Sequence, residues 1–282
     1  MQLSKQFKAR CSGIGAILSE PKEKHPKLIL SDHMKSIAEK EKRISESKNK
    51  ETATYAKLVD NVANLHLKTD LLKLNADRIH LSKTCIEHVY KWLKSQPEFY
   101  GRLTNFRSKY TEKGNECEKD SIILAADYYG WKGAVKNTEP KWNDYLTGEC
   151  DVLPENTDTV EDIKNSWSQD TFPLFNKEIP IDGYGWQGQG YLELYDRSQF
   201  GLVYTLMDAP ERMVERECRI RMYELGLEEM EVELYDEIKA SMTYSNFSLD
   251  LRVKRFALDR DRSCMGNVER RVDEIRRFIE SL

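Results

Sequence analysis

Apolar and polar positions along the chain fall into two regimes. Between residues 31 and 94 apolar residues such as Leu58, Val62, Leu65, Leu71 and Leu72 recur every three or four positions, the period of a helix with one buried stripe. Ser31 and Asp32 are read as a helix start, the Lys/Glu/Ser-rich stretch 39–54 interrupts the rhythm, and another helix is predicted over 81–92. Further helices are predicted over 109–129, closed by Gly130, over 183–195, from Asp208-Ala-Pro-Glu to Gly226, over 227–242 and over 268–282. Between them lie runs of period two. Residues 145–153 and 159–164 alternate around a turn at 154–158 and predict a β-hairpin; 200–207 reads as a buried strand and 249–258 as an edge strand. The pattern as a whole predicts an α/β fold, a small mixed central sheet flanked by helices with an added helical segment.

Strand periodicity then places chemistry. Residues two apart share a face, so Asp162 and Lys164 project together while Glu161 and Ile163 project the other way. Asp151 ends the preceding strand, so two carboxylates and an ammonium converge. Such a set suits a hard divalent cation acting on a phosphodiester, with the lysine orienting or deprotonating water and offsetting charge in the transition state. The competing reading is a solvated ion pair, common in a chain with 33% charged residues. Glu118 shares a helical face with Ile122, Ala125 and Tyr129; a carboxylate there needs a partner such as a metal ion, unless it is simply exposed. Gln187 and Tyr191 lie one turn apart on one helix. Gly188 and Gly190 between them each cost about 1 kcal/mol relative to Ala, which predicts close backbone approach. Ser12 is read as the cap of a short helix, with or without a phosphate at its N-terminus. Lys132, Lys136, Lys141 and Trp142 form a basic and aromatic approach, and Arg270, Arg271, Arg276 and Arg277 a solvated face or a track for a DNA backbone. His66, His80 and His88 read as exposed or hydrogen-bonded helix residues.

Composition narrows the classes. A chain of 282 residues can bury a substantial core. Mean hydropathy is -0.69, no apolar run is long enough to span a bilayer, and the first residues lack the apolar core of a signal peptide, so a cytoplasmic location without membrane partners is expected. Six cysteines without a Cys-x-x-Cys pair disfavour zinc, iron–sulfur and disulfide frameworks. The net charge of -4 argues against indiscriminate coating of nucleic acid and leaves room for a local basic cleft.

The order of helix with Glu118, strand with Asp151, strand with Asp162-x-Lys164 and helix with Gln187-x-x-x-Tyr191 carries a resemblance. So do the phrases Lys-Gly-Asn-Glu-Cys-Glu-Lys-Asp, Tyr-Leu-Thr-Gly-Glu-Cys-Asp, Asp-Ile-Lys-Asn-Ser-Trp, Thr-Phe-Pro, Trp-Gln-Gly-Gln-Gly-Tyr and Asp-Ala-Pro-Glu. Over residues 10–210, with an echo near 252–261, the chain resembles the PD-(D/E)XK nuclease superfamily, within it the phage exonucleases related to lambda exonuclease and the YqaJ viral recombinases. That resemblance implies a restriction-endonuclease-like fold, one domain over 1–282 with a helical insertion at 39–98. It implies Mg²⁺, with Mn²⁺ as the alternative, held by Glu118, Asp151, Asp162 and the backbone carbonyl of Ile163. Lys164 would position or activate water, Gln187 and Tyr191 would match a recombination-nuclease motif, and Ser12 and Arg10 would lie near a 5′ phosphate. Degradation of linear double-stranded DNA, 5′→3′ from an end, would supply single strands to an annealing protein in the host cytoplasm, and a trimeric homo-oligomer is the family habit. Cys150 stands where the motif has proline, and Asp162 where glutamate is commoner. The rival readings are a structure-specific or nicking endonuclease and a non-catalytic DNA-binding or scaffolding protein on the same fold.

Overall fold

The computed structural model describes residues 2–76, 78–102 and 108–282. In chain order these form α1 (Gln2–Gln6), β1 (Ala9–Arg10), a 3-10 turn at Cys11–Gly13, α2 (Ile14–Ile17), α3 (Pro26–Glu46), α4 (Ala53–Ala76), α5 (Lys83–Lys94) and α6 (Lys109–Tyr129). There follow β2 (Lys141–Trp142), β3 (Leu146–Gly148), β4 (Thr159–Asn165), α7 (Asp182–Tyr195), β5 (Gln199–Thr205), α8 (Glu211–Leu225), α9 (Val232–Ser241), β6 (Val253–Asp259) and α10 (Met265–Glu280).

The mixed sheet is divided in two. β4 runs parallel to β5, from Thr159 opposite Gln199 to Asn165 opposite Thr205, and β5 runs antiparallel to β6. The parallel pair is joined by α7, as a crossover requires. Alternation along the strands gives each face its own cover. Val160, Phe200, Leu202 and Phe256 meet Leu192 and Tyr195 of α7 on one side; Ile163, Val203 and Val253 meet Ile122 and Ala125 of α6 on the other. Gly188 is where α7 crosses β5, since a Cβ there would run into the Phe200 ring, and a Cβ on Gly190 would lie 2.6 Å from Ile14 Cδ1. The close approach predicted for these glycines is therefore helix-to-sheet packing at Gly188 and packing on α2 and the turn before it at Gly190. Gly201 serves the opposite face. Its missing side chain leaves room for the fully buried Glu161 carboxylate, which takes Arg255 Nε at 2.9 Å and Nη2 at 2.9 Å.

The second sheet orders β1, β3 and β2, with Ala9 opposite Leu146 in parallel and Lys141 opposite Gly148 antiparallel. This corrects the expected hairpin. Val152 and Glu161 exchange both backbone hydrogen bonds, 3.0 Å each, but the ladder goes no further. Leu146 pairs with β1 instead, which buries its side chain to 1% in a core built from Phe7, Ile14, Val89 and Val268; burial decides the pairing.

Four further expectations shift. The first long helix begins at Pro26 rather than Ser31, because proline is tolerated at N1 and His25 Nδ1 accepts the Lys27 N–H at 3.1 Å. Ser12 lies inside the 3-10 turn and caps nothing; the turn is fixed by burying Cys11 and Gly13, and Arg10 before it makes no side-chain cap bond. The strand expected at 249–258 starts at Val253, after a 3-10 turn whose following Arg252 is buried and donates to the Leu206 carbonyl at 3.2 Å. On α10, Arg271 is buried beside Glu20 and Glu274, and Arg276 binds the Phe7 carbonyl at 3.1 Å, so these two hold the fold rather than form a solvated face.

Within residues 39–98, α4 belongs with α3 to a hairpin that buries little: only Ile37 on α3 and Val62, Thr69 and Ala76 on α4. His33 Nε2 lies 2.8 Å from the Leu65 carbonyl and His66 Nε2 2.9 Å from Glu41, tying the arms together. α5 instead packs Cys85, Val89 and Leu93 into the core with Val272 and Ile275 of α10. Among the described residues no helix is long and apolar enough to cross a membrane.

Candidate active site

β4 puts Asp162 and Lys164 under α7 and Ile163 under α6, as alternation requires. Asp162 is 2% exposed. Its Oδ1 accepts Gln187 Nε2 at 3.2 Å, and the same amide nitrogen lies 2.9 Å from the Tyr191 hydroxyl. The two polar positions one turn apart on α7 therefore act as a unit on one carboxylate. Lys164 Nζ lies 2.5 Å from Asp162 Oδ2, so this buried oxygen is met by the ammonium and by no other side chain among the described residues. Burial pushes the Asp162 carboxyl up to about 6, against the pull of Lys164 and with repulsion from Asp151 adding to it. For Lys164, burial alone would lower the pKa, but Asp162 outweighs it and holds the ammonium above the ordinary lysine range. The Asp162 carboxylate thus favours Lys164 as a cation over a free base.

Asp151 follows β3 beside β4 and is anchored by backbone: the Ile163 N–H donates to its Oδ2 at 2.7 Å. Its other oxygen, Oδ1, faces Lys136, whose Nζ is 2.5 Å away and also 2.8 Å from Glu118 Oε1. Glu118 stands half-exposed at the edge of the α6 stripe that buries Ile122 and Ala125. The partner it needs is thus an ammonium from the segment before β2. Burial works to lower the Lys136 pKa, but hydrogen bonds to Asp151 and Glu118 raise it above the usual lysine value.

The structure therefore brings together Glu118, Asp151, Ile163, Asp162, Lys164, Gln187 and Tyr191. Glu118, Asp151, Ile163 and Lys164 line one cleft, together with Tyr110, Trp167, Tyr184 and Tyr204. Arg10 and Ser12 do not line it. They are exposed on either side of Cys11, whose Sγ would touch a Cβ on Gly148 or Gly190, so they flank α7 near Tyr191. His88 lies against Gly13, its pKa lowered by burial and by the charges of Lys91 and Arg10.

In the sequence Lys136 is one lysine of a general basic approach, and nothing local marks it as the link between Glu118 and Asp151. Its backbone bridge to Val152, next to Asp151, is what aims it there. Lys113 opens the phrase Lys-Gly-Asn-Glu-Cys-Glu-Lys-Asp, but nothing in the sequence gives it a role of its own.

Among the described residues no three His, Cys, Asp or Glu side chains stand together as a metal cage; the Lys136 ammonium is interposed. The donor set nevertheless fits a divalent cation. Two carboxylate oxygens already share one positive charge, and the only partner of the buried Asp162 Oδ2 among the described side chains is a cation, Lys164.

No family model matches the chain, and no curated protein matches it. Among solved structures, it is similar to a phage related exonuclease from Haemophilus somnus 129PT, with a TM-score of 0.63 and 21% identity over 96% of this chain and 93% of that one. It is also similar to an alkaline exonuclease (LHK-Exo) from Laribacter hongkongensis, with a TM-score of 0.48 and 12% identity over 71% of this chain and 81% of that one. The first likeness establishes the fold.

Proposed function

We propose that this chain is a metal-dependent deoxyribonuclease that degrades linear double-stranded DNA from an end, 5′→3′. The observation that carries the reading is that Asp151 and Lys164 line an open cleft with Glu118, which Lys136 joins to Asp151, while the buried Asp162 backs Lys164. The fold shared with a phage related exonuclease supports it.

Glu118 and Asp151 would hold Mg²⁺ or Mn²⁺, with Asp162 and the Ile163 carbonyl completing the set. Bound there, the ion would polarise the phosphodiester and lower the pKa of an attacking water. The remaining work falls to the chain. The Ile163 N–H fixes Asp151, and Gln187, itself braced by Tyr191, fixes Asp162. Lys164, held as an ammonium, orients water and offsets the charge that builds on the phosphate oxygens. Lys136, whose side chain is 34% exposed, now occupies the point between Glu118 and Asp151 and would have to share or vacate it for a cation held there. Arg10 and Ser12, on the flank of α7, would meet the 5′ phosphate.

The product would be single-stranded DNA for phage recombination, taken up by an annealing protein in the host cytoplasm. The chain would work as a homo-oligomer, by resemblance a trimer. Incubating linear and covalently closed circular duplex with the protein, with Mg²⁺ and with chelator, tests the reading. Loss of the linear form alone, only with Mg²⁺, is expected; equal attack on the circle makes the protein an endonuclease, and no attack on either ends the proposal.

A further inference from the structure

Lys113 is a charged group for which the catalytic set has no use. It is 1% exposed, one turn and a half before Glu118 on α6, and burial brings its pKa down to about 8. Its ammonium donates to the Ser166 carbonyl at 3.0 Å and the Trp167 carbonyl at 2.9 Å. Burying an ammonium is costly, and what this one fixes is the backbone two and three residues past Lys164. The side chain so positioned is the Trp167 indole. It meets the Tyr110 ring edge-on, centroids 5.5 Å apart at 74°, and Lys109 Nζ lies 4.8 Å from the indole centroid and 5.9 Å from the Tyr110 centroid.

Tyr110 stands in the first turn of α6, where Ser108 and Thr111 cap the helix reciprocally, with bonds of 3.2 Å and 3.0 Å. Yet Tyr110 is 57% exposed. An exposed aromatic ring with a lysine ammonium over it lies in the same cleft of about 640 Å³ as Glu118, Asp151 and Lys164.

We infer that Tyr110 and Trp167 form a stacking subsite for an unpaired nucleobase of the strand being cut, with Lys109 beside them for its backbone phosphate. This rests on the nuclease reading. An enzyme acting at a duplex end has to separate the terminal pair before the phosphate reaches Lys164, and a π-face takes up a base of any sequence. Lys113 is then a positioning residue that keeps the indole in place.

The test uses a linear duplex with 2-aminopurine at its terminal nucleotide, bound in Ca²⁺ to slow hydrolysis, with steady-state cleavage in Mg²⁺ measured in parallel. Wild type should quench the probe. Trp167→Ala should lose most of the quenching and raise KM about tenfold, the scale of one lost base–aromatic stack, with kcat changed by less than about twofold; Trp167→Phe should keep part of both. Tyr110→Ala, at an exposed position, gives the same readout should Trp167→Ala fail to fold. Unchanged quenching and KM in a folded variant, with wild type active, overturns the subsite and leaves the nuclease standing. A wild type that cleaves nothing overturns both.

Discussion

Lys136 Nζ lies 2.5 Å from Asp151 Oδ1, where the ammonium of one residue fills a point that the carboxylate of the other would offer to a metal. With Glu118 at 2.8 Å on the other side, Lys136 is a built-in cation that a divalent ion held by these two carboxylates would have to displace. Lys136→Gln should therefore bind Mn²⁺ more tightly than wild type, by about fivefold to tenfold, the equivalent of roughly 1 kcal/mol of partly exposed ion pairing. Calorimetric titration without DNA reads this directly, with Asp151→Asn as the control that loses binding. Equal or weaker affinity in Lys136→Gln would show that the lysine helps to build the metal site rather than guarding it.

Glu161 and Arg255 form the buried ion pair on the α6 face of the sheet, with Glu161 wholly inaccessible and Arg255 also bonded to Gln199 at 3.1 Å. Removing one partner leaves an uncompensated buried charge. Glu161→Ala should cost about 3–5 kcal/mol in chemical denaturation. Gly201→Ala, whose new methyl would strike that carboxylate, should also destabilise, by about 1–3 kcal/mol. Wild-type midpoints in both would remove the pair from any account of the fold.

Lys113 makes stability depend on pH in a definite direction. Its folded pKa is about 8, below the ordinary lysine value of about 10.4. Below pH 8 both states carry the proton and the folded state bears the full burial penalty. Between about 8 and 10.4 the unfolded chain keeps the proton that the folded chain has shed, so stability rises with pH through that window. Denaturation of wild type and Lys113→Met from pH 7.5 to 10 should show wild type gaining on the variant as pH increases. A constant difference would mean that Lys113 titrates normally.

Much of this arrangement is legible in the sequence wherever the signal is local. The alternation of residues 159–164 assigns Asp162 and Lys164 to one face, Gly130 and Gly226 mark helix ends that the structure places in the left-handed conformation, and the spacing of Gln187 and Tyr191 puts them on one face of α7, where the structure brings Gln187 to Asp162 and Tyr191 to Gln187. What escapes is set by distant parts of the chain. Nothing near residue 146 announces that Leu146 prefers Ala9 to the arm across the turn. The glycines of α7 announce close approach without naming Phe200 or Ile14 as the neighbours. Lys136 and Lys113 look like any other lysine in a highly charged chain, and only the folded backbone turns one toward two carboxylates and the other toward two carbonyls.

The central claim is that Asp151 and Lys164 act on a scissile phosphate. It is tested most directly by following end-labelled linear duplex DNA with Mg²⁺ in wild type, Asp151→Asn and Lys164→Ala, each first shown to melt as wild type does. The account predicts progressive loss of label by wild type, and in each variant a rate at least about 100-fold lower, the scale of removing one electrostatic contributor to a transition state. Degradation at the wild-type rate by either folded variant would contradict it.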